Sequence, residues 1–307
     1  MQALKTTIFT ASVVVILLAS TAVANAASVS YSAVVVYGDS LSDNGNLFAA
    51  SQGIIPGGEP PSPPYYMGRF SNGPVAIEQL AAKLGVPLVD NAFGGATTGV
   101  GNELDGGTQT TLGAFHVPGM LTELALSPPS PSLASTALFV VWGGANDYEL
   151  SEPVNVAVAD IDAIVNALRA AGATHILVPG LPDLGLTPEF LGVPSATAFS
   201  EQFNAGLLAT LPPGVTYFDT FGLLNSIIAN AAAYGITNTT GSCLTATTLC
   251  TDPSQFIFFD DIHPTTTTDA IIAQQFDAAV TPEPSTFLML GTGIAGLAEL
   301  LRRRRAA

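Results

Sequence analysis

Five short apolar runs lack the apolar/polar alternation of a sheet with one wet face, and this constrains the fold more than any other feature. Ala33 to Tyr37 reads AVVVY, and Pro87–Asp90, Ala137–Trp142, His175–Val178 and Val215–Phe218 follow it along the chain. Runs of this length without alternation indicate strands covered on both faces. Helical patterns lie between and after them. Val154, Val158, Ile161, Val165 and Leu168 recur at spacings of three and four, which places them on one face of a helix. Ala196–Leu208, Leu223–Ala233 and Thr268–Val280 read as further helices. Strands alternating with helices predict an α/β domain, a three-layer α/β/α sandwich around a central, mostly parallel sheet. Ligands of such sheets bind beyond the carboxyl ends of the strands, so the segments that follow the strands are the place to look for chemistry.

The chain has 307 residues, 48% of them hydrophobic, which is ample for one core. Only 10% are charged, against a usual share of about 25%. Between residues 27 and 281 the positive side chains are Arg69, Lys83 and Arg169, against 22 acidic ones. High hydrophobicity excludes a disordered chain. The acidic balance excludes nucleic acid as a partner, because it repels phosphates, and it disfavours adhesion to anionic lipid.

The two ends read as address labels. Residues 1–26 carry Lys5, an apolar run around Val13 to Leu18, and then the small-x-small sequences Ala22-Val23-Ala24 and Ala24-Asn25-Ala26. That order indicates a cleaved secretory signal peptide, with a membrane anchor as the alternative; the run is short for a span. At the other end, Pro282-Glu283-Pro284 precedes an apolar stretch from Ser285 to Leu301 and the cluster Arg302 to Arg305. This segment can barely span a bilayer, with its arginines on the cytoplasmic side. It resembles the PEP-CTERM sorting signal of Gram-negative bacteria. The resemblance implies processing of residues 282–307 by an exosortase-type enzyme and delivery to the cell surface or to exopolysaccharide. A plain C-terminal anchor is the alternative. The expected organisation is therefore a signal peptide (1–26), one domain (27–281) and a sorting tail (282–307).

Cys243 and Cys250 are the two cysteines. An exported chain meets an oxidising compartment, so they are expected to form one disulfide, a local staple. No histidine with ligand spacing accompanies them, so no metal site is expected.

The segment after the first strand reads Gly38-Asp39-Ser40-Leu41-Ser42-Asp43-Asn44-Gly45-Asn46. No GxSxG occurs, so the nucleophile elbow of α/β-hydrolases is absent. A polar turn explains these residue types equally well until three other blocks are set beside them: Asn91-Ala92-Phe93-Gly94-Gly95, Gly143-Gly144-Ala145-Asn146-Asp147 and Asp260-Asp261-Ile262-His263-Pro264. In this order the four blocks resemble those of the GDSL, or SGNH, hydrolases, over residues 38–264. The resemblance implies the flavodoxin-like three-layer fold and a serine esterase or lipase; His, Asp and Glu show no metal-ligand spacing and no GxGxxG follows a strand, so no cofactor is expected. Ser40 would be the nucleophile, and Asp260 and His263 the rest of the triad. The backbone N–H groups of Ser40 and Gly95 (Gly94 being the second choice) and the Asn146 amide would form the oxyanion hole.

The residues support that chemistry on their own terms. A serine hydroxyl needs a base to take its proton. The chain has three histidines, His116, His175 and His263. His175 opens an expected strand and His116 lies in a Gly/Pro-rich loop without an adjacent acid. His263 has Asp260 three residues before it, a spacing at which a carboxylate can accept the imidazole Nδ1–H and leave Nε2 facing a serine. Asp261 is the rival acid. Asp39, Asp43, Asn44 and Asp147 are expected to brace the loops. The loop GEPPSPPYYMGRF, with Tyr65, Tyr66, Met67 and Phe70, either lines an acyl pocket or is a surface loop held down by its aromatics. The expected substrate is a small-molecule or lipid ester. The alternatives are a carbohydrate acetyl esterase acting on polysaccharide and a non-catalytic surface or matrix protein with the same fold.

Overall fold

The computed structural model describes residues 30–281; the expected signal peptide and sorting tail lie outside them. Seven strands run Val34–Gly38 (β1), Leu88–Asp90 (β2), Leu138–Trp142 (β3), His175–Pro179 (β4), Thr216–Phe218 (β5), Asn238–Ser242 (β6) and Phe256–Phe258 (β7). Nine α-helices accompany them among the described residues: Asn46–Ser51 (α1), Ala76–Leu84 (α2), Met120–Leu126 (α3), Pro131–Ala134 (α4), Ala145–Glu149 (α5), Val154–Ala170 (α6), Pro194–Thr210 (α7), Thr220–Ala229 (α8) and Thr266–Val280 (α9).

The first five strands form one sheet in the order β2-β1-β3-β4-β5, and every pairing is parallel. β1 and β3 sit inside the sheet and every residue of both is buried. β2 and β5 form its edges and are only partly covered. Side chains alternate between the two faces of a strand. On one face, Val35, Tyr37, Phe139 and Val141 join a core with Ile161 and Ile164 of α6 and Phe203 and Leu207 of α7. On the other, Trp142 meets Phe276 of α9 edge-on at 5.3 Å. Full burial of each such side chain is worth about 1.5–3 kcal/mol, so both helical layers are held by the sheet. This is the expected three-layer α/β/α sandwich.

The strand order reverses direction between β1 and β3. A doubly wound sheet opens a crevice at that switch point, beyond the carboxyl ends of its strands. Gly38 ends β1 there, and a Cβ at this position would lie 2.5 Å from the Trp142 carbonyl of β3. Only glycine lets the two strand ends run so close. The small parallel pair β6–β7 lies apart from the main sheet, and the Cys243–Cys250 disulfide follows β6. The expected helix at Leu223–Ala233 is instead α8 followed by a 3₁₀ turn at Ala231–Tyr234.

Candidate active site

Ser40 lies two residues beyond β1, in a turn closed by the Ser42 and Asp43 N–H groups donating to the Asp39 carbonyl. His263 comes from the loop between β7 and α9, and its Nε2 stands 2.8 Å from Ser40 Oγ. The imidazole Nδ1 lies 2.8 and 3.0 Å from the two carboxylate oxygens of Asp260. With Nδ1–H donating to Asp260, Nε2 is left to accept the serine proton. Asp260 Oδ1 also accepts the backbone N–H groups of Ile262 and His263 at 3.0 and 2.7 Å. Asp261 turns away and accepts Ser242 Oγ at 2.6 Å, so Asp260 is the acid at the imidazole.

Charge and burial act together on this pair. Burial works to raise the Asp260 pKa, but the facing imidazole and the two N–H groups outweigh it and hold the carboxyl at about 2. Burial works to lower that of His263. The Asp260 carboxylate, helped by Asp39 and Glu149, overcomes this and raises it above its ordinary value. Beside the serine, burial pushes Asp39 up to about 7.

Three donors border the same cleft as Ser40 and His263. The Ser40 and Gly95 N–H groups have no partner among the described residues, and both residues line the cleft. Asn146, in α5 just beyond β3, gives one amide hydrogen to the Ala96 carbonyl at 2.7 Å and keeps the other. The Gly94 N–H is already taken, donating to Asp43 at 2.8 Å, which favours Gly95 over Gly94 as the donor. Gly95 holds φ +77°, and a Cβ on it would lie 2.5 Å from Asn102 Oδ1.

The acids flanking these residues tie the blocks together. Asp43 accepts the N–H groups of Gly45, Asn46 and Leu47 as well as that of Gly94. Asp147 accepts the Thr98 N–H at 3.0 Å and the Gln109 amide at 2.6 Å. Glu123 of α3, which nothing in the sequence singles out, is buried and accepts the Gly38 and Phe93 N–H groups at 3.0 and 3.1 Å.

The aromatic loop divides its tasks in a way its sequence does not announce. Tyr66 and Met67 are exposed. Phe70 lines the cleft and lies against the His263 ring at 4.9 Å. Tyr65 donates its hydroxyl to Asp260 Oδ2 at 2.7 Å. Burial and the neighbouring carboxylate push the Tyr65 pKa far up, so it remains a donor. His175 sits at the amino end of β4 with its ring against Tyr31, and His116 is exposed in its loop; neither lines the cleft. Among the described residues no group of three or more His, Cys, Asp or Glu side chains is arranged to hold a metal.

A phosphatidylcholine-sterol acyltransferase of Aeromonas hydrophila is 30% identical over 230 residues, covering 69% of this chain and 65% of the relative. A thermolabile hemolysin of Vibrio parahaemolyticus is 27% identical over 279 residues, covering 79% and 62%. The chain thus spans less than two thirds of the length of these relatives. A solved member of the lipolytic G-D-S-L family from Veillonella parvula aligns over 80% of this chain and 95% of its own, at 11% identity and a TM-score of 0.46. Residues 280–305 match the PEP-CTERM protein-sorting motif. Residues 34–276, most of the chain and all four blocks, match the GDSL-like Lipase/Acylhydrolase family, and to that family the chain belongs.

Proposed function

We propose that the chain is an exported serine ester hydrolase working through an acyl-serine intermediate. The observation that carries this reading is the unbroken line from Asp260 through His263 to Ser40, with bonds of 2.8 Å on either side of the imidazole, set among unpaired donors. Ser40 Oγ attacks the ester carbonyl carbon as His263 Nε2 takes its proton. The oxyanion turns to the Ser40 and Gly95 N–H groups and the free Asn146 amide hydrogen, each worth about 10²–10³ in turnover. His263 returns the proton to the departing alkoxide as the C–O bond breaks. Water, deprotonated by the same imidazole, then releases the acid and restores the serine.

An apolar space of about 50 Å³ adjoins the cleft, bordered by Leu41 beside the nucleophile and Ile262 beside the base, and favours an acyl chain of a few carbons over the acetyl group of a polysaccharide. The PEP-CTERM motif supports export, with residues 1–26 removed as a signal peptide, residues 27–281 forming the catalytic domain, and residues 282–307 holding the chain in the inner membrane until an exosortase-type enzyme cuts the tail. Exopolysaccharide is then a neighbour of the mature protein. Turnover of p-nitrophenyl butyrate and octanoate beside acetylated xylan tests the reading. Both nitrophenyl esters should be hydrolysed with a higher kcat/KM than xylan acetate. Faster deacetylation of xylan would make the protein a carbohydrate esterase, and no turnover of either would leave a non-catalytic protein.

A further inference from the structure

His263 belongs to the loop between β7 and α9, whereas Ser40 follows β1 of the main sheet. The two partners of the 2.8 Å contact therefore come from different sheets, and other contacts must hold them in register. The aromatic loop and the residues after it run alongside the histidine loop. Tyr65 reaches Asp260 with its hydroxyl. Ser71 Oγ donates to the Pro264 carbonyl at 2.9 Å and lies 3.2 Å from Asp269 Oδ2. Asn72 Oδ1 accepts the Thr266 N–H at 3.0 Å, and the Pro74 carbonyl accepts Thr266 Oγ1 at 2.8 Å. Phe70 lies in the middle of this seam, between the Tyr65 and Ser71 contacts.

Phe70 is 8% exposed. Its ring centroid stands 4.9 Å from that of His263, with the planes tilted by 38°. Two rings this close, and nearer to parallel than to perpendicular, meet partly face to face. Behind Phe70 the Tyr65 ring packs at 6.1 Å and meets Phe259 edge-on at 5.4 Å. A Cβ on Gly94 would strike the Phe70 ring, so glycine at that position leaves the space that Phe70 fills. The face of an aromatic ring is negative and attracts a cation within about 6 Å of its centroid. His263 is neutral while it faces the Ser40 hydroxyl and becomes a cation once it holds the serine proton. The titratable groups that face it are carboxylates: Asp260 on its own loop, Asp39 in the turn after β1, Glu149 of α5 and Glu189 in the segment after β4. Burial opposes the charged imidazole, and Asp260, Asp39 and Glu149 favour it. Phe70 adds an aromatic face to these acids.

We propose that Phe70 acts through His263: its ring holds the imidazole in the orientation that reaches Ser40 and stabilises the imidazolium formed as the serine proton is taken. This rests on the ester-hydrolase reading above. The proton passes from Ser40 Oγ to His263 Nε2 as Oγ bonds the carbonyl carbon, so the charge that Phe70 faces is present in the tetrahedral intermediate and leaves with the proton when the alkoxide departs. The test uses the full chain with two replacements. Phe70→Leu keeps apolar bulk without a ring face, and pentafluorophenylalanine at position 70 keeps the ring shape but not its negative face. Melting curves and far-ultraviolet circular dichroism matching the parent verify folding. The His263 imidazole is titrated by proton–nitrogen NMR without substrate, its signal identified by its loss in His263→Gln. In both variants the titration midpoint should fall by about 0.4–1.5 pH units. The plateau of kcat/KM for p-nitrophenyl butyrate above that midpoint should fall by the matching factor, about three- to thirtyfold. Below the midpoint the variant and parent profiles should converge, because a larger neutral fraction offsets the weaker stabilisation of charge. A ring that only fills space would leave the midpoint in place under fluorination, and a misplaced imidazole would lower kcat/KM by one factor at every pH. Either result overturns the proposal and leaves the esterase standing. No turnover by the parent removes the esterase reading and this proposal with it.

Discussion

At the scale of single residues, the role proposed for His263 predicts a pH dependence. Only the neutral imidazole can take the serine proton, and its pKa is raised above the ordinary value, the surrounding carboxylates outweighing burial. The rising limb of kcat/KM should therefore lie above about pH 6.5, with activity falling about tenfold per pH unit below it. A limb at or below that value in a rate profile would contradict the account. Tyr65 stands one step further back. Its hydroxyl donates to the Asp260 oxygen at 2.7 Å and Tyr65 does not line the cleft, so its expected role is to position the acid. Tyr65→Phe should lower kcat by about tenfold, the worth of one hydrogen bond to a charged group, with KM nearly unchanged and a displaced pH limb. A simple packing defect would lower stability and leave the limb where it is.

At the scale of elements, the strand ends hold the four blocks in place, and buried carboxylates bind one block to the next. Asp43 is the clearest case, since it joins the first turn of α1 to Gly94. Asp43→Ala would leave the buried N–H groups of Leu47 and Gly94 without this acceptor, at about 1–3 kcal/mol apiece, besides the partly buried ones of Gly45 and Asn46. Denaturant unfolding should show a loss of at least about 3 kcal/mol together with reduced turnover; a loss under about 1 kcal/mol would show that the blocks are held by other means. The five main strands and the long helices α6, α7 and α9 were legible in the sequence, because buried runs and three-four spacing report burial directly. Ser40, Gly95, Asn146, Asp260 and His263 stood out as candidates because four ordered sequence blocks resemble those of the family, and the structure brings Ser40, Asp260 and His263 within hydrogen-bond distance of one another. The β6–β7 pair was not legible. Its residues Asn238 to Ser242 are polar and partly exposed, so no hydrophobic pattern marks them. The helices from α1 to α5 have nine residues or fewer, and most are too short for periodicity to show. Tyr65 and Glu123 escaped for a different reason: each acts through a partner far away in the chain, and nothing local distinguishes a bonded tyrosine from an idle one.

At the scale of the whole molecule, the same acids that build the site oppose stability at alkaline pH. Burial raises the pKa of Asp147 to about 6, Asp39 to about 7 and Glu103 to about 8, and pushes Glu123, Asp90 and Asp269 well up. The folded protein holds these protons where the unfolded chain has released them, so their contribution is complete below the ordinary carboxylate range and is lost as pH rises through the folded values. Asp260 behaves oppositely, its contribution being lost only as pH falls toward about 2. Repulsion within a domain of three positive and 22 acidic side chains acts in the same direction as the raised group. The melting temperature should therefore fall between pH 5 and pH 8 while activity rises; a flat or rising melting temperature would contradict this. Activity should thus rise with pH through His263 while stability falls through the buried carboxylates, and the proposed activity depends on Ser40 being the group that His263 activates. The most direct measurement of that claim is labelling with an alkyl fluorophosphonate followed by peptide mass mapping. The account predicts one adduct per chain, on Ser40, formed with loss of esterase activity and absent from Ser40→Ala and strongly slowed in His263→Ala. An adduct on Ser42, or full activity in Ser40→Ala, would contradict it.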